Sequence, residues 1–286
     1  MHLNMLIEGW ILETTLLGSR ILWMVRGYTH PDEYIVVTPY AIEGRRVKQY
    51  DWSWLPSCVK EFIPCIGRIA PLIAQRDVVR IVDPERALRL RRGDLPAEIL
   101  ELLDILNPEW AGLTGSWAVF GERLSSDVDV LVYGNPNAMY KTLLELREEG
   151  RIKPCMVEDR YLKVLDRMSW STYAKLLPFK TLDSCYRGKP YTIRILRRLY
   201  SRPCYDFIVK VGVYEGMLRV VDNSESHLTP ARYIVDINGN KVTMETWHTR
   251  YMELPKGVYK GYLEVFHARE GLILSPDIVG YLEGPL

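Results

Sequence analysis

The pattern of apolar and polar residues predicts a β-rich beginning of the chain. Up to about residue 90, strand-like runs such as RILWMVRGY and EYIVVTPYAI are separated by HPD, EGR and several prolines, which punctuate strands rather than helices. The neighbouring segments YIVVTPYAI and EGRRVKQYDW predict a hairpin. We therefore expect a β-rich N-terminal domain over residues 1–91.

Helical spacing begins after this region. In LPAEILELLDILNP the apolar positions 95, 99, 102, 103 and 106 fall on one helical face between two prolines. NPNAMYKTLLELREEG predicts a second helix, with Asn135 or Asn137 as its cap, an apolar side at Leu143, Leu144 and Leu146, and Gly150 as its stop. Residues 156–180 read as helical, and YTIRILR reads as a strand. These elements predict a second domain over residues 92–203.

From Cys204 onward the pattern changes to short strands. Examples are DFIVKVGVY, MLRVVD, ARYIVD, KVTMETW and VYKGYLEVF. Asn238-Gly239 is a strong signal for a tight hairpin turn. Five or six short strands at this spacing predict a small closed β-barrel over residues 204–286.

Composition narrows the class of protein. The 286 residues are 48% hydrophobic and 26% charged, with a net charge of +1, which is typical of a folded globular protein and gives no global sign of nucleic-acid binding. Local basic segments, at 86–93 and 187–198, are either solvated faces or binding surfaces. The apolar N-terminal run is interrupted by Glu8, Glu13 and Arg20, so we expect it to belong to the core of a cytoplasmic protein, without a membrane role.

The cysteines and glutamines add two expectations. The five cysteines have no Cys-x-x-Cys spacing and no paired histidines nearby, which argues against a zinc site. Two glutamines in the whole chain suggest the composition of a hyperthermophile protein, in which an internal disulfide is compatible with the cytosol.

The segment GLTGSWAVFGERLSSDVDVLVYG, residues 112–134, carries the candidate chemistry. Asp127 and Asp129 would share one face of a strand, about 7 Å apart along it, and Val128, Val130 and Val132 would share the other. Two carboxylates this close repel unless a cation lies between them, and hard oxygen ligands suit Mg²⁺ or Mn²⁺. Gly115 and Ser116 begin a short helix that could hold phosphates.

This arrangement resembles a known signature. Gly115-Ser116, ten residues and then Asp127-Val-Asp129-Val is similar to the signature of the nucleotidyltransferase superfamily that includes DNA polymerase beta. TGS, SD-x-D and YG in this order resemble more closely an archaeal group of predicted nucleotidyltransferases. The resemblance implies an α+β fold, in which a polymerase beta-like core of mixed sheet and flanking helices lies between the β-rich N-terminal domain and the barrel.

The resemblance also implies an activity and a site. The activity is metal-dependent transfer of a nucleoside monophosphate from an NTP to an acceptor hydroxyl, with RNA or another nucleic acid as a possible acceptor. The implied catalytic and metal-binding residues are Asp127 and Asp129, and the implied nucleotide-binding residues are Gly115, Ser116, Ser126 and Arg194.

One expected residue is missing. Active members of the superfamily place a third carboxylate on a neighbouring strand, but YTIRILR offers Thr192 and Arg194, or Ile193 and Ile195. Arg194 could contact substrate phosphates, or pair with Asp127 or Asp129 and displace a metal. Other acids in the preceding segment are better explained as surface charges; they are Glu158, Asp159 and Asp166. The alternative hypothesis is therefore a degenerate protein that binds nucleotide or RNA without turnover.

Overall fold

The computed structural model describes residues 6–16, 18–47, 52–121 and 127–286. The strands of its first part are β1 (Ile11–Leu16), β2 (Ser19–Val25), β3 (Thr29–His30), β4 (Tyr34–Ile42), β5 (Arg45–Arg46), β6 (Lys60–Ile63), β7 (Arg68–Ala74) and β8 (Val78–Val82). Apart from β3, they form an antiparallel sheet in the order β6-β7-β4-β2-β1-β8, with β5 paired to β4. The predicted hairpin forms between β4 and the two-residue β5.

The central part combines helices with a mixed sheet. Its elements are α1 (Pro84–Arg91), α2 (Ala97–Leu106), β9 (Trp110–Leu113), α3 (Gly115–Val119), β10 (Val128–Tyr133), α4 (Pro136–Glu148), β11 (Ile152–Lys153), α5 (Val157–Leu162), α6 (Trp170–Leu176), β12 (Asp183–Tyr186), β13 (Lys189–Leu196) and β14 (Arg202–Pro203). The sheet order is β11-β12-β13-β10-β9, and β10 runs parallel to β13.

Local signals explain where the two longer helices lie. Every apolar position predicted for α2 is buried, together with Leu95 just before it, and Asn107 ends the helix with a left-handed backbone at φ +44°. Asn135 is the cap of α4, because its side chain accepts the Ala138 N–H at 3.1 Å. The buried side of α4 is Met139, Leu143 and Leu146, whereas Leu144 is exposed.

The last part of the chain closes into a barrel. Its strands are β15 (Val209–Glu225), β16 (Leu228–Thr229), β17 (Ala231–Ile237), β18 (Asn240–Thr246), β19 (Gly257–Ala268), β20 (Gly271–Ser275) and β21 (Tyr281–Glu283). The order β15-β17-β18-β20-β19 returns to β15, so five strands form a closed barrel, and β21 pairs outside it with β19. Asn238 and Gly239, both at positive φ, form the turn between β17 and β18.

Strand β10 lies between two hydrophobic cores. Val128, Val130 and Val132 belong to a core that includes α2, α4 and side chains of the barrel. Leu131, on the opposite face, packs with the N-terminal sheet and with Leu196. The face of β10 that carries Asp129 is therefore turned toward the N-terminal sheet.

The predicted fold class is wrong. The structure is 45% strand and 23% helix, with several sheets and a closed five-stranded barrel, and is mostly β rather than an α+β fold with a polymerase beta-like core. The physical reason is that the chain on both sides of the central helices forms strands whose apolar faces are buried in sheets. In addition, residues 156–180 form only short elements, which are α5, α6 and a 3-10 helix at Leu177–Phe179.

Two further features concern the whole chain. Among the residues that the structure describes, no helix combines the length and the apolar character needed to cross a lipid bilayer. Two disulfides join Cys65 to Cys204 and Cys155 to Cys185, and Cys58 is a free, exposed thiol.

Candidate functional site

Gly115 lies directly against the carboxylate of Asp129. The Thr114 N–H donates to the Asp129 carbonyl at 3.0 Å, which ties the turn after β9 to β10. Gly115 has φ +66°, and a Cβ atom there would lie 2.1 Å from Asp129 Oδ2. Glycine is thus required at this position by the aspartate itself as well as by the backbone conformation. The close approach of Gly115 to a phosphate stays a prediction.

Asp127 and Asp129 form a half-buried pair. Asp127 comes directly before β10 and Asp129 lies within it, and both are partly accessible to water. Burial, and next the negative charge of Asp127, raise the pKa of Asp129 to about 7, although Arg194 and Arg46 act in the opposite direction. The site therefore disfavours the ionised form of Asp129 in spite of its two neighbouring arginines.

A third acid lies across the sheet from this pair. In the register of the three strands, Asp129 is opposite Thr192, and Thr192 is opposite Asp183. Thr192 Oγ1 is 3.1 Å from Asp183 Oδ1 and 3.5 Å from Asp127 Oδ2. Asp183 was missed because it belongs to β12, one strand beyond the strand where an acid was sought. The buried guanidinium of Arg160 pairs with it at 2.7 Å.

Ser116 is held by two residues of the N-terminal sheet. Its Oγ lies 3.1 Å from the Tyr40 hydroxyl and accepts a hydrogen bond from Arg46 Nη1 at 2.6 Å. Arg46 also donates to the Tyr40 hydroxyl at 2.8 Å and stacks over the Tyr40 ring. Burial raises the pKa of Tyr40 to about 12, with smaller contributions from Asp129 and Asp127 in the same direction. Tyr40 is therefore a neutral hydroxyl at physiological pH.

Arg194 is engaged by an acid of the N-terminal part, and its predicted contact with substrate phosphates stays a prediction. It forms a salt bridge with Glu8, a residue far away in the sequence, and Glu8 also pairs with Arg26 at 2.8 Å and accepts the Gly27 N–H at 2.9 Å. Burial alone would raise the pKa of Glu8, but Arg26, Arg194 and the Gly27 N–H outweigh it and hold the pKa below its usual value. Arg194 still acts on Asp129 through its charge.

The structure brings most of the predicted site residues together. Asp127, Asp129, Gly115 and Ser116 form one group, and Arg194 lies two residue pairs further along the sheet. Ser126 lies outside the described residues. The acids of the preceding segment are exposed; they are Glu158, Asp159 and Asp166.

The donor set fits a metal that relies on its substrate for further ligands. Within the described ranges, no three or more His, Cys, Asp or Glu side chains are close enough to form a metal site on their own. Asp127 and Asp129 supply two hard oxygen donors, and Mg²⁺ is commonly bound by one or two carboxylates together with phosphate and water oxygens. A cation bound beside Asp129 would stabilise its ionised form and so lower its raised pKa.

Comparison with known proteins adds no family assignment. No family model, curated protein or solved structure matches this chain. The likeness of residues 112–134 to nucleotidyltransferases therefore stays a prediction from the motif.

Proposed function

We propose that this chain transfers a nucleoside monophosphate from an NTP to an acceptor hydroxyl, with Mg²⁺ or Mn²⁺, at the site of Asp127 and Asp129. One observation carries the proposal: two adjacent carboxylates face the same way beside a tight Gly115-Ser116 turn, and burial, followed by the charge of Asp127, raises the pKa of Asp129 to about 7. Such an arrangement costs stability, and a cation with its phosphate ligands would remove that cost.

The residues around the pair have distinct proposed roles. Asp127 and Asp129 would hold the metal, which when bound supplies positive charge to the transferring phosphoryl group. Arg46 reaches the same turn from β5 and is an exposed residue, so its guanidinium would bind the triphosphate. Asp183 would accept the proton of the acceptor hydroxyl, relayed by Thr192.

A second candidate function, nucleotide or RNA binding without turnover, is favoured by two other contacts. Asp183 is already neutralised by Arg160, which weakens it as a base, and the Ser116 hydroxyl is already engaged by Tyr40 and Arg46. A cleft of this kind could keep a Mg·NTP complex without completing the reaction.

The partners and location belong to the same proposal. We infer NTP as substrate, RNA or another nucleic acid as acceptor, and a cytoplasmic location in a hyperthermophilic archaeon. The two disulfides agree with this location only for such an organism, since cytosolic disulfides are rare in mesophiles.

The test compares transfer and binding in the same variants. The purified chain is incubated with Mg²⁺ or Mn²⁺, labelled NTPs and pooled RNA, beside Asp127→Asn/Asp129→Asn, Asp183→Asn and the exposed control Asp166→Asn. We expect label transfer by the wild type and the control, a loss of at least about 100-fold in the double variant, and a partial loss in Asp183→Asn.

The outcomes separate the two candidates. Absence of transfer while calorimetry still detects binding of Mg·NTP that depends on Asp127 and Asp129 would favour the binding protein. Absence of both would refute both candidates.

A further inference from the structure

Residues 197–207, RRLYSRPCYDF, form a strip in which arginines alternate with exposed aromatic rings. Tyr200, Tyr205 and Phe207 are 59%, 83% and 64% exposed. Large rings are usually covered in a folded chain, and several exposed together mark a binding surface more often than single ones do. The strip, which we call the aromatic strip, follows directly after β13.

The aromatic strip is fixed to the rest of the molecule. Strand β14 pairs with β3, and the Arg202 N–H donates to the Tyr28 carbonyl at 2.8 Å. Cys204 is joined by a disulfide to Cys65, and the Ile208 N–H donates to the Pro64 carbonyl at 2.8 Å. The three rings are thus displayed on an anchored backbone, so little conformational entropy remains to be lost on binding.

A large cationic cavity lies beside the aromatic strip. Its volume is about 780 Å³, and it opens between the N-terminal sheet, the strip and the barrel. Seven arginines and four carboxylate residues line it, a formal excess of three positive charges in a chain whose net charge is +1. Residues one or two positions from the exposed rings belong to its wall; they are Arg198, Arg202, Asp206 and Ile208.

Two of the arginines are available for an anion. Within the described part of the chain, Arg198 and Arg269 form no salt bridge with a carboxylate. The Arg198 guanidinium lies 5.7 Å from the centroids of both the Tyr28 and the Tyr200 rings, which keeps it at the junction of cavity and strip. Trp247, 5.7 Å from Tyr28 between ring centroids, adds an apolar surface to the same wall.

We propose that the aromatic strip and this cavity bind single-stranded nucleic acid. Unpaired bases would stack on Tyr200, Tyr205 and Phe207, and the phosphates would contact Arg198 and Arg269. Exposed rings interleaved with arginines suit single strands, because every base offers a face for stacking while cations follow the backbone. In a duplex the base faces are stacked on one another and cannot contact the rings. An acidic protein would pair with the arginines but offers no series of flat faces for three separate rings.

Binding at this surface does not depend on the proposed transferase reaction. It is measured without NTP or metal, by the fluorescence anisotropy of labelled U12 and dT12 oligonucleotides with the full chain. We expect Tyr205→Ala and Phe207→Ala each to weaken binding about tenfold. Arg198→Gln should lower the salt dependence, the slope of log K against log salt, by about 0.7.

Two matched controls and two alternative ligands make the test decisive. Phe179→Ala and Arg89→Gln remove an exposed ring and an exposed arginine elsewhere, and they should bind like the wild type. Binding that is unchanged in the strip variants would overturn the proposal, as would equal binding of a 12-base-pair duplex or equal competition by polyglutamate. A preference between U12 and dT12 tells RNA from DNA, and either result supports the site.

Discussion

Replacing Asp129 by asparagine should stabilise the protein at neutral and alkaline pH. The Asp129 carboxyl ionises at about 7 in the folded chain, against an ordinary value of 3.8. Between these values the folded chain keeps a proton that the unfolded chain releases, so stability is highest below about pH 4, falls as the pH rises, and levels off above about pH 7. At pH 8 this carboxylate costs the fold about 4 kcal/mol at most, at about 1.4 kcal/mol per pH unit.

The expected gain in the variant is smaller than this ceiling. Asp129 is partly accessible to water, so screening leaves about half of the cost, or about 2 kcal/mol. For a chain of this size, that corresponds to a rise in melting temperature of about 4–8 °C. Asparagine is nearly isosteric, so the contact with Gly115 would remain and the gain reports the lost charge.

The assay follows thermal unfolding by circular dichroism at pH 5, 6, 7 and 8. The difference between Asp129→Asn and wild type should widen with pH and be less than half as large at pH 5 as at pH 8. Asp104→Asn is the control, because Asp104 forms only an exposed ion pair with Arg92, which contributes about 1 kcal/mol or less. A variant that is less stable than wild type at pH 8, or a difference that does not change with pH, would refute the electrostatic reasoning.

Three further predictions use the same purified chain. At pH 8, millimolar MgCl₂ should raise the melting temperature of the wild type by a few degrees but leave that of Asp129→Asn unchanged. Equal shifts in the two proteins would exclude binding of Mg²⁺ through this carboxylate. In urea unfolding, Gly115→Ala should lower the free energy of unfolding by about 3 kcal/mol, because its Cβ would lie 2.1 Å from Asp129 Oδ2. The control Gly44→Ala, also at positive φ but in open space, should lower it by only about 1 kcal/mol. Equal losses in the two variants would show that the contact with Asp129 does not destabilise the fold. Replacing both cysteines of the Cys65–Cys204 bridge by serine should lower the melting temperature more than the same change in the Cys155–Cys185 bridge. The two closed loops have sequence separations of 139 and 30, which correspond to about 5 and about 4 kcal/mol of chain entropy in the unfolded state. The reverse order would contradict the loop-entropy argument.

Part of the site was readable from the sequence, including a residue that the strand search missed. CYRGKPY contains a two-residue hairpin turn, with Arg187 and Gly188 at positive φ, and this turn alone sets the register that places Asp183 opposite Thr192. Asp183 lies on β12, which is the second strand from β10, whereas the third acid was expected on the strand next to β10. Glu8, Arg46 and Tyr40 gave no comparable signal, because no local pattern relates them to residues 115–129.

The sequence by itself determined the local elements. The helical spacing before residue 107, the cap at Asn135, the Asn238-Gly239 turn and the common face of Asp127 and Asp129 all follow from backbone geometry over a few residues. Only the tertiary structure decided that the chain is mostly β and that Arg194 pairs with Glu8. These outcomes depend on how separate sheets pack and on charges brought together from distant positions, and short-range periodicity carries no information about either.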